Sequence, residues 1–308
     1  MPQSRWSNRT IALRGVLLVV AVAACTPTTG APAVSPPASI ESAASTAPTV
    51  GAVSQPAPTD ELLFSGKLLI CSDLPYPPQE FFNEQGEPIG SDIEIGQEIA
   101  RRLGLHAEIV NSIFDSIIPA LQAGKCDAVI SAQTITEERL AQVDMVPYFK
   151  AGQAFMVRKG NPAGIYTELD LCGKRIVAQK GTTEVDYVLG AGDYAEAGLS
   201  ATCVTAGKPA IALTTTEKDD QALAALKAGR ADAYFVDSPA AGYHVVQGAG
   251  EFELSGLTLD EAEQGISVSK SKPGLRRALE AGLASMMSDG SYEAILARYG
   301  VEDGSLAP

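Results

Sequence analysis

Ala123-Gly124-Lys125-Cys126-Asp127-Ala128-Val129-Ile130 returns later in the chain as Ala228-Gly229-Arg230-Ala231-Asp232-Ala233-Tyr234-Phe235. Each copy follows a helical pattern, Asp115 to Ala123 in the first case and Asp220 to Ala228 in the second. Each then passes through glycine, which ends a helix cheaply, into a short apolar run. Helix, glycine, strand is the punctuation of an α/β unit, and parallel sheets are built by alternating such units. Two similar units predict two lobes with a cleft between them.

Working outward from the first copy, Leu68 to Cys71 reads as a strand. Ser91-Asp92 opens an amphipathic helix from Ile93 to Leu103, with Asp92 as its expected N-cap and Gly104 as its stop. Ala107 to Val110 and Asp127 to Ser131 are further strands, and Glu137 to Gln142 is a short helix. Around the second copy, Lys174 to Gln179 is a strand and Gly181-Thr182-Thr183 opens a helix toward Leu189. Ala231 to Val236 and Gly265 to Ser269 are strands. Leu275 to Met287 and Tyr292 to Tyr299 are helices expected to return to the first lobe.

The N-terminal end carries a different message. Arg5, Arg9 and Arg14 precede the apolar run Val16 to Ala24. That run is far shorter than the roughly 20 residues of a membrane-spanning helix, and the order of charge, apolar run and small residues marks a secretory signal. Val22-Ala23-Ala24-Cys25 resembles a bacterial lipobox, in which the cysteine is diacylated; an ordinary signal peptide cut nearby is the other reading. Residues 25–61 are rich in Ala, Pro, Thr and Ser, a composition that cannot offset the entropy of ordering. They are expected to form a tether.

With Cys25 lipidated, four of the five cysteines remain, an even number suited to disulfides in an exported protein. Cys172 and Cys203 flank one α/β stretch and form the first expected pair. Cys71 and Cys126 are then either a second pair or buried free thiols. A net charge of −14 argues against nucleic acid, which demands basic surface.

Several phrases, in order, resemble solute-binding protein family 3, the periplasmic polar-amino-acid-binding proteins. They are Ser72-Asp73-Leu74-Pro75-Tyr76-Pro77-Pro78, Gly90-Ser91-Asp92-Ile93-Glu94-Ile95, and Ile118-Pro119-Ala120-Leu121-Gln122-Ala123-Gly124-Lys125. They continue with Thr134-Ile135-Thr136-Glu137-Glu138-Arg139, Gln179-Lys180-Gly181-Thr182-Thr183, and Val236-Asp237-Ser238. The resemblance spans Lys67 to Tyr299. It implies a two-lobed type II periplasmic-binding fold joined by two hinge strands: residues 62–151 and 263–308 as one lobe, 152–262 as the other. It further implies a monomer that delivers an amino acid to the permease of an ABC importer, with no cofactor, no metal and no catalysis.

The resemblance also assigns roles. Arg139 would grip the ligand's α-carboxylate, since a guanidinium can give two parallel hydrogen bonds and an ammonium cannot. Thr182 and Thr183 would offer a second carboxylate contact, and their Gly-Thr-Thr context is also a plain helix cap. Asp237, ending an apolar strand, would take the α-ammonium. Ser131 and Thr134 would line the floor, where Ala132 stands in place of the hydroxyl many relatives carry. Tyr76 and Phe114 would be aromatic walls. Asp73 would meet a cationic side chain, and cations also bind well over aromatic faces. The expected ligand therefore leans toward a cationic amino acid, with glutamine or another polar one as runner-up. Gln79 and Ser91 depart from the family pattern, which favours apolar or aromatic residues there. Two competing roles are a dehydratase on the same fold and a sensor without a transporter. Only His106 and His244 are available for acid–base work by histidine, and neither falls in a matched motif.

Overall fold

The computed structural model describes residues 58–196 and 198–308. The expected signal segment, Cys25 and nearly all of the tether lie outside these residues. Strand β1 (Lys67–Ser72) is followed by the short pair β2 (Phe81–Phe82) and β3 (Pro88–Ile89), then helix α1 (Ser91–Arg102) and β4 (His106–Asn111). Next come α2 (Ile117–Gln122), β5 (Ala128–Val129), α3 (Glu137–Gln142) and the long β6 (Asp144–Arg158). The second half holds β7 (Arg175–Gln179), α4 (Thr183–Leu189), α5 (Leu199–Thr205), β8 (Ala212–Thr216), α6 (Asp219–Lys227) and β9 (Ala233–Asp237). It closes with α7 (Ser238–Gln247), β10 (Phe252–Val268), α8 (Pro273–Asp289) and α9 (Ser291–Tyr299).

The strands form one sheet in the order β4-β1-β5-β10-β6-β9-β7-β8. Pairing is parallel within β4-β1-β5 and within β9-β7-β8. The antiparallel pair β6 and β10 runs between these two groups, with register from Phe252↔Arg158 to Val268↔Asp144. Two connections of this kind let two α/β halves share a boundary without sharing a core.

Each half buries both faces of its strands, as parallel sheets do. In the first, Leu68 and Ile70 of β1 pack with Ile95 and Ile99 of α1 and with Leu275, Leu279 and Met286 of α8. Leu69 and Cys71, on the opposite face, pack with Ile117, Leu121 and Val129. In the second half, Phe155 and Phe235 stack with centroids 4.0 Å apart beside Ile176, Val188 and Leu199. The C-terminal helices α8 and α9 both lie against α1.

The repeated phrase has the same job in both halves. Asp127 accepts the backbone N–H of Leu69 in the neighbouring strand, and Asp232 accepts that of Arg175. Each aspartate thus fixes the start of the strand beside its own. Asp127 also holds Lys272 at 3.0 Å and the N–H of Leu63.

Three expectations change. Asp92 is not an N-cap: α1 begins two residues earlier than expected, at Ser91, with Gly90 as cap. The Asp92 carboxylate turns inward, where it accepts the N–H of Ala132 and the hydroxyl of Tyr148. The helix expected from Asp115 opens as a 3-10 turn, Phe114–Ser116, before α2. Glu61, placed in the tether by composition, belongs to the folded body. Its carboxylate accepts the N–H groups of Gly274 and Leu275 and so caps α8.

The expected disulfide Cys172–Cys203 forms, and of the two readings left open for Cys71 and Cys126 the structure has the second pair. The Cys71–Cys126 bond joins β1 to the turn before β5 across a separation of 55 residues, with both cysteines fully buried. Replacing this pair by alanines is expected to lower the unfolding free energy by about 3–4 kcal/mol, mainly by freeing the unfolded chain. Urea titration of the two proteins checks this; an unchanged midpoint refutes it.

Candidate functional site

The nine residues expected to contact a ligand — Asp73, Tyr76, Phe114, Ser131, Thr134, Arg139, Thr182, Thr183 and Asp237 — line one cavity. It lies where the two halves of the sheet face each other. Ala132 and three residues the sequence did not single out as ligands, Glu80, Gln179 and Glu184, complete the lining.

Arg139 sits in the first turn of α3, whose cap Thr136 accepts the Arg139 N–H. Its guanidinium carbon lies 5.4 Å from the centroid of Phe114. Nη1 donates to the carbonyl of Thr134 at 2.6 Å, and Nη2 to that of Gly181 at 3.1 Å, across the cleft. The group is held on three sides and is 9% exposed. Burial lowers its pKa from the ordinary arginine value, and carboxylates led by Glu184 oppose the shift.

Gly181 explains how the halves come so close. Its φ is +81°, and a Cβ there would sit 2.8 Å from the Asp115 Cα. Only glycine suits both the left-handed backbone and the contact. Thr182, just after it, caps α4, and its hydroxyl donates to the Gln179 carbonyl. The Thr183 hydroxyl accepts from Gln153 of β6 at 2.8 Å.

Asp237 ends β9 and caps α7. It accepts the Tyr76 hydroxyl at 3.0 Å and the Gln264 amide at 3.1 Å. Gln264 in turn accepts from Gln79 at 2.8 Å. The polar residue at position 79 thus belongs to a buried chain that orients Asp237, which accounts for its departure from the apolar pattern. Burial, only partly countered by these bonds, raises the Asp237 pKa to about 6. Burial and the charge of Asp237 raise that of Glu184 to about 8. Its Oε1 has no partner among the described residues.

The floor is fixed by the same inward-turned carboxylate that left the helix cap. Ala132 adopts φ +47°, unusual for a residue with a Cβ, and Asp92 holds its N–H there. Ser131 donates to Glu80 at 2.7 Å and accepts the N–H of Asp73. Burial and the charge of Asp92 drive the Glu80 pKa well above the carboxylate range.

Asp73 is the residue whose surroundings differ most from expectation. Its carboxylate is already met inside the protein, by Lys218 and by Gln179. His106 lies on the surface, and His244 is bonded to Asp219 outside the cavity lining. Among the described residues no cluster of His, Cys, Asp and Glu is placed to hold a metal ion.

Two α/β halves joined by paired long strands, with a charged cavity at the seam, define the two-lobed type II periplasmic-binding fold. Residues 68–302 match the model of the bacterial extracellular solute-binding proteins, family 3, and the chain belongs to that family. It is 29% identical over 240 residues to the histidine-binding periplasmic protein of Salmonella typhimurium, covering 76% of this chain and 87% of that one. It is 31% identical over 222 residues to the ABC transporter glutamine-binding protein GlnH of Bacillus subtilis, covering 71% and 75%. Among solved structures, an ancestral arginine-binding protein bound to arginine aligns with a TM-score of 0.68 at 35% identity, covering 76% of this chain and 98% of that one.

Proposed function

We propose that this chain is the extracytoplasmic substrate-binding lipoprotein of an ABC importer and captures a polar L-amino acid by closing two lobes on it. Residues 62–151 and 263–308 form one lobe and 152–262 the other. The observation that carries the reading is that Arg139 and Asp237 reach one buried cavity from opposite halves of the sheet. A zwitterion needs that pairing: a fork of donors for the α-carboxylate and an acceptor for the α-ammonium. Thr182 and Thr183, with the opening amides of α4, stand on the carboxylate side. Each charge-assisted bond contributes roughly 1.5–3 kcal/mol, and only the closed form makes all of them, so ligand favours closure.

The test is a thermal-shift screen over the L-amino acids, followed by calorimetry. A ligand at a hundred times its Kd is expected to add about 2.7 kcal/mol of stability. An unmoved transition with every amino acid rejects the reading. Anchoring rests on Cys25 and its apolar lead. In cells fed a palmitate analogue, the full chain is expected to take up label and Cys25→Ser to take up none. Equal labelling removes the anchor from the proposal.

A dehydratase is the one enzymatic reading with a specific observation in its favour, because Glu184 is a protonated carboxyl in the cavity near neutral pH. The paired Arg139 and Asp237 favour ligand retention over chemistry. No turnover of prephenate or arogenate is expected.

A further inference from the structure

Lys218 lies just before α6, in the second half of the chain, and reaches across the cleft. Its Nζ meets the Asp73 carboxylate and donates to the carbonyls of Leu74 at 3.1 Å and Ser112 at 2.8 Å. The Asn111 Oδ1 lies 3.4 Å away. All four acceptors belong to the first half. Asp73 is 2% exposed and the Lys218 side chain 19%, so the ion pair is shielded from water. The backbone of Lys218 is pinned as well, since the Thr216 hydroxyl donates to its carbonyl.

We infer that Lys218 is a specificity-determining residue: its ammonium occupies the subsite where a ligand's cationic side chain would sit, and so restricts the protein to amino acids with uncharged side chains. The inference rests on the amino-acid reading and narrows it.

Three considerations support it. An ammonium with this set of acceptors is satisfied, and an incoming cation would have to expel it into water or sit beside it. Two like charges within a buried site repel strongly. The one carboxylate placed for a side-chain cation is also already matched, since Lys218 meets Asp73 in a shielded ion pair. A zwitterion with a neutral side chain leaves that pair undisturbed, whereas a cationic side chain must compete with Lys218 for Asp73. Gln179 reinforces this arrangement, since its Nε2 donates to Asp73 and to the carbonyl of Glu217.

Calorimetry with glutamine, histidine at pH 8, arginine and lysine tests this on the intact protein, on Lys218→Met, and on the double variant Asp73→Asn/Lys218→Met. The intact protein is expected to bind a neutral member of the panel and to bind arginine and lysine at least about tenfold more weakly. Lys218→Met exposes Asp73 and is expected to gain about tenfold or more for arginine or lysine. The double variant keeps the fold and loses that gain, because the carboxylate that recognises the cation is gone. Preference for arginine or lysine in the intact protein, or an unchanged ratio in Lys218→Met, overturns the role of Lys218 and leaves the amino-acid reading standing. Binding of no panel member by any of the proteins overturns both. Circular dichroism on each variant separates loss of fold from loss of binding.

Discussion

Arg139→Ala is expected to weaken amino-acid binding by about 3 kcal/mol or more, a hundredfold or greater rise in Kd. The magnitude follows from how the side chain is held. Its hydrogen bond to the Thr134 carbonyl and its position over Phe114, both within its own half, fix the guanidinium before any ligand arrives. The ordering entropy of a long side chain is already spent in folding, so its remaining donors can serve the ligand at little further cost. Arg139→Lys keeps the charge and loses the fork, and recovers only a minor part of the affinity. Alanine also removes the donor to the buried Thr134 carbonyl, so the ligand-free variant is expected to lose about 1–2 kcal/mol of stability. Calorimetry gives the first quantity and urea titration the second. Arg139→Lys with full affinity contradicts the carboxylate role, since a simple positive charge would then suffice.

Arg139 was legible through its place in the phrase Thr134-Ile135-Thr136-Glu137-Glu138-Arg139, which carries the family resemblance; by local chemistry alone it reads as an ordinary surface-helix arginine. Asp237 was legible as a carboxylate at the end of an apolar strand. The repeated phrase located both halves of the sheet because the constraint is local: a glycine must end the helix, and an aspartate must hold the next strand. The long strands were less legible for the opposite reason. In β6, Pro147 and Gly152 interrupt the alternation, and in β10 only Gly265 to Ser269 reads as strand. The register shifts at Leu254/Thr258, Leu259/Ala262 and Gln264/Gly265 break its period. Their pairing is decided by two separate cores, which no window along the chain contains. Lys218 was invisible for a related reason: nothing near it in sequence distinguishes a surface lysine from one that crosses a cleft to Asp73. The same contact turned an expected acidic slot for a cation into a filled one.

Glu184→Gln is expected to make the pH dependence of the ligand-free protein shallower and to stabilise it at alkaline pH. In the folded state Glu184 keeps its proton up to about pH 8, because burial and then the charge of Asp237 disfavour the carboxylate. In the unfolded chain it ionises near the ordinary glutamate value, about 4.3. Between these limits the folded state binds more protons than the unfolded one. Stability is therefore fully present below about pH 4, falls as pH rises through the window, and levels off above about pH 8. A difference of more than three pKa units corresponds to about 5 kcal/mol as an upper order of magnitude. Asp237, raised to about 6, adds to the same slope over the lower part of the window. Glutamine carries no charge at any pH and can still donate a hydrogen bond toward Asp237, so Glu184's share of the slope should vanish while that of the other raised carboxyls, Glu80, Asp92 and Asp237, remains. Ligand acts in the reverse sense. An α-ammonium placed beside these two carboxyls favours their ionised forms, so binding near pH 7 should release protons, with apparent enthalpies that differ between phosphate and Tris buffers. Melting temperatures from pH 5 to 9 for both proteins, with the buffer comparison, test the pair together. A Glu184→Gln protein with the slope of the parent places the titrating group elsewhere.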